Sequence, residues 1–575
     1  MKLPQTSRWL WLLAAIAAVA VVAFAACDDD EGGGETPGAG ETPPAGERQE
    51  GGSITVHSLE FQSLDPHYSN FVQDITVHRM VWRGLYALDK DNNVTPMMAE
   101  DLPDISADGL TYTITLKDGL LWSDGEPLTA TDFEFGLKRT CNPSIAGQYE
   151  YVLDATIVGC ADYYAALGTE EEPKTPTPAE LQALEDAVGV TAVDDTTLEI
   201  TLNQAQPTFG IILALWMTFP APAHLFQTTG DAWPTDPSQL AYNGPYQITE
   251  YALQDHATLT PNPNWIGDIR PTLDTLTIKF IEDNAVADNA FRSGELDEAI
   301  ADLAQLAALK TEFGERFFQQ LQPATLGLEM SLTHPPLDVL EVRLALSQAL
   351  NREEINTVIY GGAYVPTTTW LPAVTGGPPP DEFGDVIGFN PEQAKANLAA
   401  AGFADGAGFP TLKFTMRDTP TNQNLFAYIQ KAYNDILGIN IEADVVDSPT
   451  RSRKFNTHDF ELFPGGWIQD YPDPENWIVG LFNTGGGNNG YECSDPEIDA
   501  LIEAAQFNTD NEERLQQYTD ANELIVTRVC GIAPYYHLTN NWLVSDEIVG
   551  MKENSAGQDG TMPGDWMAEA WGLKK

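Results

Sequence analysis

Asp89, Asp91, Asn93 and Glu100 stand at the first, third, fifth and twelfth places of a calcium-binding loop. Val94 occupies the place where the sharp turn of such a loop needs glycine, so the segment reads as a polar connection. The 8 histidines are scattered, with no HExxH pattern and no i, i+4 pair. There is no GxSxG nucleophile elbow and no glycine-rich phosphate loop ending in Gly-Lys-Ser/Thr. Hydrolase and ATPase chemistry therefore lack residues, and no enzyme, metal site or cofactor is expected. Four cysteines, Cys141, Cys160, Cys493 and Cys530, show no CxxC spacing, which argues against a zinc cluster or a redox pair. Outside the cytoplasm four thiols suit two bridges, for which three connectivities are open. The sequence-local pairs Cys141–Cys160 and Cys493–Cys530 are the expected ones.

The elements that must carry any site read as mixed α/β. Apolar and polar residues alternate with period two in TYTITL (111–116), TLEITL (197–202) and TLTIKF (within 273–280), which predicts half-buried strands. Asn390 followed by Pro391 predicts a helix start, with Gly402 closing that helix. Asp495-Pro496 opens another, with Ile498, Leu501 and Ile502 on one face. A long helical stretch is predicted over 339–359, with Leu344, Ala345, Ala349 and Ile355 at its apolar positions. Strands and helices alternate along most of the body, which favours α/β layers over an all-β sandwich.

The chain has 575 residues, enough for about three domains. Its 29 Lys and Arg face 85 Asp and Glu, a formal charge of −56. Such a charge repels phosphate backbones and anionic membrane surfaces, so nucleic acid is not a partner. The 13 Trp, 24 Phe and 19 Tyr are spread along the chain, which excludes general disorder. Lys2 and Arg8 precede an uncharged apolar run over 9–26, the pattern of an export signal. Ala25-Ala26-Cys27 resembles the cleavage box of bacterial lipoproteins, in which the cysteine is diacylated, although Phe24 stands where Leu is usual. The signal is thus expected over 1–26, with an uncleaved transmembrane anchor as the alternative, since the run is near the shortest length that spans a bilayer. Residues 27–50 are Gly, Pro, Glu and Thr-rich and read as a flexible, lipid-anchored tether that leaves the body outside the cytoplasm.

One resemblance covers nearly all of the mature chain. SLDPHYSN (63–70), GLYALDKDNNVTPMMAEDL and DGLTYTITLKDGLLWSDGEPLTATDFEFGLKR (108–139) are similar to the extracellular solute-binding proteins of peptide and nickel ABC importers. LKDGLLWSDGEPLTATD is the most specific part. Further similar blocks follow in order: YNGPYQITEY (242–251), RSGELDEA (292–299), VRLALSQALNREEI (342–355), NPEQAKANLAAAGF (390–403) and GWIQDYPDPENW (466–477).

The resemblance implies an α/β, two-lobed, hinged periplasmic-binding-protein fold of type II with three domains. Domain I would combine 51–94, 209–322 and 535–575, domain II would be 95–208, and domain III, the second lobe, 323–534. The chain would cross between lobes near Pro323 and Pro534. Such a protein is a monomer that captures a ligand in the interlobe cleft and delivers it to permease subunits, with ATPase subunits engaged indirectly.

In peptide-binding members the Asp of the GWxxD motif pairs with the peptide's α-ammonium, and that position is Asp470. The backbone around Gly466, Trp467 and Ile468 would add the peptide as an extra strand. Val72 would face it from the other wall, and Tyr68, Trp370, Trp467 and Tyr471 would line the pocket. Pro464 stands three before Trp467, where the family can carry a basic residue that meets the peptide carboxylate. Arg453, Lys454 and Arg417 are the replacements expected here. The rival ligand on the same scaffold is an oligosaccharide, held by aromatic platforms without a charged anchor, and a nickel or metal-chelate binder is a further one. An enzyme or a signalling co-receptor is the reading from another class.

Overall fold

Alternation along Thr111–Thr115 does what period two requires: Tyr112 and Ile114 point inward and pair across the ladder with Ile200 and Leu198. The computed structural model describes residues 48–147, 149–168, 172–229, 237–554 and 560–575. The expected export signal, Cys27 and most of the tether lie outside them. No helix among the described residues is long and apolar enough to cross a membrane.

Two large hydrophobic cores define two lobes. Ile54, Trp82, Trp122, Phe133, Trp265 and Trp571 belong to the first, and Leu328, Trp370, Phe414, Trp477 and Tyr518 to the second. Each buried indole removes on the order of 200 Å² from water, or about 5 kcal/mol of gross transfer free energy. In the first lobe, Ser53–Ser58 lies parallel to Thr275–Phe280, and His256–Pro261 and Tyr246–Ala252 follow antiparallel. A second antiparallel sheet joins Asp104–Ile105, Thr111–Thr115, Thr197–Thr201 and Val190–Ala192. The largest sheet runs Glu298–Ile300, Ile532–Val544, Phe317–Met330, Leu462–Ile468, Leu412–Met416, Ile441–Val445.

Its two long strands, Phe317–Met330 and Ile532–Val544, pair antiparallel and pass from one core to the other. At one end Phe318 stacks on Trp542 at 5.8 Å beside the first core. At the other, Leu328, Met330 and Ile532 sit in the second. The ladder between them is irregular, with register shifts at Leu321/Thr325 and Leu326/Gly327.

The most specific block of the sequence turns out to be architectural. Trp122 is buried, and its backbone N–H donates to the Glu126 carbonyl (2.9 Å) across a turn that places Gly125 at φ 93°. Thr129 and Asp132 form a capping box that starts the helix Ala130–Thr140. Arg139, in its last turn, grips Asp65 of SLDPH with two bonds of 2.6 Å. Asp74 accepts from the N–H groups of Gln62 and Ser63 and from the Ser69 hydroxyl (2.6–2.8 Å). These bonds fix segment 62–74.

Both sequence-local disulfides form, Cys141–Cys160 and Cys493–Cys530. The helix at Pro391–Ala400 begins as predicted, with the Asn390 side chain accepting from the Gln393 N–H. The helix expected over 339–359 is instead two, Leu340–Gln348 and Arg352–Tyr360. Asn351 breaks it, since its side chain accepts from the Glu354 N–H and caps the second piece. The polar loop at Asp89 is a turn: Asp89 Oδ1 accepts from the N–H groups of Asp91 (2.8 Å) and Asn93 (2.9 Å).

Candidate functional site

The strand Leu462–Ile468 carries the first part of GWIQDYPDPENW. On one side it pairs with Phe317–Met330 along its whole length, from Met330↔Leu462 to Ala324↔Ile468. On the other, only Leu462 is registered with Leu412–Met416, through Phe414. From Phe463 onward that edge of the strand has no ladder partner among the described residues. Gly466 must be small, because a Cβ there would lie 2.0 Å from the Thr325 carbonyl oxygen. An open strand edge is a template for an extended chain, except at Pro464, which has no N–H and whose carbonyl accepts from Arg451 (3.0 Å).

Asp470 follows two residues beyond the strand and is half-buried. Asn476, on the helix Pro474–Phe482, clips it in place. The Asn476 Oδ1 accepts from the Asp470 N–H (2.9 Å) and the Trp467 indole (3.0 Å), and its Nδ2 donates to Asp470 Oδ2 (3.0 Å). From the first lobe, Tyr149 donates to Oδ1 and Tyr151 to Oδ2, each at 3.0 Å. Burial raises the Asp470 pKa, while the bonds from Asn476, Tyr151 and Tyr149 hold it back. The result is a carboxylate rich in hydrogen bonds, with no cationic partner among the described residues.

Asp470 lines a small cavity of about 40 Å³ together with Val72, Asn70, Tyr149, Trp216 and Pro472. The two expected walls thus meet: Val72 comes from the segment that Asp74 fixes, Asp470 from the second lobe. A larger cavity of about 650 Å³ opens along the strand edge, lined by Gly465, Gly466, Ile468, Tyr360, Tyr364, Tyr536, Arg417 and Arg451.

The other expected residues divide. Trp467 is half-buried, spends its indole N–H on Asn476, and packs against the second core. Tyr471 packs against the first core from the second-lobe motif. Tyr68 is half exposed and outside both cavities. Trp370 is not a pocket wall: it is 1% exposed, donates to the Trp477 carbonyl (2.9 Å), and packs edge-on against Trp477 and Phe482. The run TTTW (367–370) gives no clue to which face is core.

Arg417 lines the larger cavity, but Arg453 does not. Arg453 is exposed on the helix Ser448–Asn456, whereas Arg451 faces the cavity. Two positions on a helix are about 200° apart, so one arginine turns away where the other turns in. Lys454 is occupied by Asp444 and Asp459. Tyr149, Tyr151 and Arg451 carry no local sequence signal, because their partners lie in distant segments. Asn476 lies inside the quoted motif, and its type and its spacing from Asp470 could have marked it.

The two lobes make a second side-chain junction. Glu475 accepts from Gln206 Nε2 and Thr208 Oγ1, both at 2.7 Å. The adjacent Asp473 holds Arg514 by two bonds of 2.8 and 2.7 Å.

Fold, open strand edge and the hydrogen-bonded carboxylate of Asp470 together define a two-lobed binding protein. Residues 93–489 match the profile described as "Bacterial extracellular solute-binding proteins, family 5 Middle", and the chain belongs to that family. The Bacillus subtilis oligopeptide-binding protein OppA is 25% identical over 499 residues, covering 85% of this chain and 88% of its own. The unliganded open form of MppA, a periplasmic murein tripeptide binding protein, superposes with a TM-score of 0.77 at 23% identity, covering 92% of this chain and 98% of its own. Haemophilus influenzae OppA in complex with RPPGFSPFR gives 0.68 at 22% identity over 92% of this chain and all of its own.

Proposed function

We propose that this protein captures peptides between its lobes and delivers them to the permease of an ABC importer, with Asp470 receiving the ligand's α-ammonium. The observation that carries the reading is the half-buried, hydrogen-bonded Asp470 carboxylate beside an open strand edge. A cation leaving water needs a compensating charge, and a main chain leaving water needs hydrogen-bond partners. The edge from Phe463 to Ile468 supplies partners that ignore side-chain identity. The names of the relatives, oligopeptide-binding and murein tripeptide binding, support the same ligand class. A sugar platform would need exposed aromatic faces, and Trp370 is enclosed in the core.

Closure would turn about the two strands that link the cores, near Pro323 and Pro534, with the three domains bounded at 51–94, 209–322 and 535–575; 95–208; and 323–534. The irregular ladder between Leu321 and Gly327 supports that position. Cys27 would carry the lipid that keeps the monomer at the outer face of the membrane, with 27–50 as its tether.

The test is native mass spectrometry of protein purified without denaturation. Released masses that fragment as peptides are expected. Carbohydrate masses, or a metal chelate, would overturn the reading.

A further inference from the structure

A third cavity, of about 440 Å³, opens in the second lobe and shares no lining residue with the two described above. Its walls include His458, Glu492, Thr484, Ser494 and the main chain of 485–487, with no lysine or arginine among them. His458 Nδ1 donates to the Gly490 carbonyl (2.9 Å), which leaves the lone pair on Nε2. That nitrogen stands 3.7 Å from Glu492 Oε1. A neutral Nε2 and a carboxylate are both acceptors, so neither satisfies the other. An imidazole whose other N–H is held by a backbone carbonyl is oriented as metal-ligating histidines are. Zinc about 2.1 Å from each donor at a tetrahedral angle would set the two about 3.4 Å apart, a few tenths of an ångström closer than they stand here.

The backbone holds both residues against its own preference. His458 and Glu492 each have φ 57°, a left-handed conformation in which glycine is the unstrained residue. Bonds next to Glu492 fix it there. Asn489 accepts from the Cys493 N–H (2.9 Å) and donates to the Cys493 carbonyl (2.7 Å), and Cys493 is bridged to Cys530. On the same cavity Gly487 has no positive φ, and a Cβ there would meet nothing within 4 Å. Side chains able to ligate thus stand where the backbone favours glycine, and glycine stands where it does not.

We propose that His458 Nε2 and the Glu492 carboxylate hold a divalent transition-metal cation of the zinc class on the second lobe. A nitrogen and a carboxylate oxygen suit zinc, nickel or copper, whereas calcium and magnesium take oxygen ligands. No third histidine, cysteine or carboxylate joins the pair among the described residues, so water completes the coordination and the site is open. The charge of −56 raises the concentration of cations around the protein. His458 and Glu492 are distant in sequence, which is why no spacing motif marks them.

The experiment is zinc titration by calorimetry at pH 7.5, with magnesium as the comparison ion. His256, which faces Glu250 and Asp255 on a hairpin, is a rival zinc ligand, so His256→Gln is carried in every protein. This parent should bind one zinc above the weak background of surface carboxylates, and magnesium only within that background. His458→Gly and Glu492→Gly should each weaken zinc binding roughly 10-fold or more. Glycine relieves the backbone at φ 57°, so without metal both variants should melt within about 2 °C of the parent. Zinc should raise the melting temperature of the parent and not of the variants. If the parent binds zinc no better than magnesium, or the variants bind it as the parent does, no metal sits on this pair and the proposal falls. A large loss of metal-free stability with zinc binding unchanged would make the pair structural and overturn it too. Peptide binding is untouched by either result.

Discussion

Tyr149 of the first lobe donates its hydroxyl hydrogen to Asp470 Oδ1 of the second across 3.0 Å, though 321 positions separate them in sequence. Tyr151 does the same for Oδ2. A carboxylate taken out of water is costly unless hydrogen bonds replace its hydration, and these two hydroxyls, with Asn476, do so. They also make the ionised form of Asp470 depend on the lobes being together.

Replacing both tyrosines tests that dependence. Each bond to a charged group contributes about 1.5–3 kcal/mol, so Tyr149→Phe with Tyr151→Phe should raise the Asp470 pKa further. Amine binding needs the ionised form. Affinity for a free-amine peptide should therefore fall more at pH 5.5 than at pH 8, by calorimetry at both values. An equal loss at both would mean that the hydroxyls act only by shape.

The Cys141–Cys160 bridge closes the loop that carries both tyrosines. With a separation of 19 residues it should contribute about 3 kcal/mol in the chain-entropy model, and Cys493–Cys530, at 37, slightly more. Cys141→Ser with Cys160→Ser should lower both the unfolding midpoint in urea and peptide affinity. The corresponding Cys493 and Cys530 change, within the second lobe's core and outside the cavities at Asp470 and along the strand edge, should lower stability and leave peptide affinity alone.

The sequence was most legible where function resides least. LKDGLLWSDGEPLTATD marks the family because Trp122, the Thr129–Asp132 box and the turn at Gly125 are architectural. Asp470 was legible through its motif, and Val72 through the SLDPH block that Asp74 and Arg139 hold in place. Tyr149 and Tyr151 were not, since what sets them apart is a hydrogen-bond partner in another lobe. Sequence points to Arg453 and not to Arg451 because charge can be read from it, whereas the face of a helix that lacks a clear apolar stripe cannot. The split at Asn351 shows the same limit: the apolar spacing runs through it, and a single cap decides.

Stability should depend on pH through the interlobe junction. Burial, followed by the charge of Asp473, pushes Glu475 up to about 7 from its usual 4.5. A folded-state pKa above the unfolded one means the native state binds more protons between those values. Stability is then present at low pH and is lost as pH rises from about 4.5 through 7, by up to about 3 kcal/mol from this group. Glu329, pushed up to about 7 mainly by burial, acts in the same sense. Thermal unfolding should show a lower Tm at pH 8 than at pH 5.5, and Glu475→Gln should raise Tm at pH 8 and flatten the profile. A variant as steep as the wild type would assign the slope elsewhere.

Anchoring has its own test. Cys27→Ser should give an uncleaved precursor, or a protein that leaves the detergent phase in partitioning with Triton X-114. A variant still processed and acylated would place the lipid on another residue.

The central claim is that Asp470 holds the ligand's ammonium, and a double comparison reads it directly. Free-amine and N-acetylated forms of one six-residue peptide are titrated into wild type and Asp470→Asn. Breaking one side of a desolvated charge pair costs about 2–5 kcal/mol, so the free-amine peptide should lose roughly 30-fold or more on mutation. The acetylated peptide should bind the wild type poorly and lose little further, because it has no cation to lose. If acetylation and Asp470→Asn weaken binding independently, with no coupling between them, the amine is held elsewhere and the account of this site is wrong.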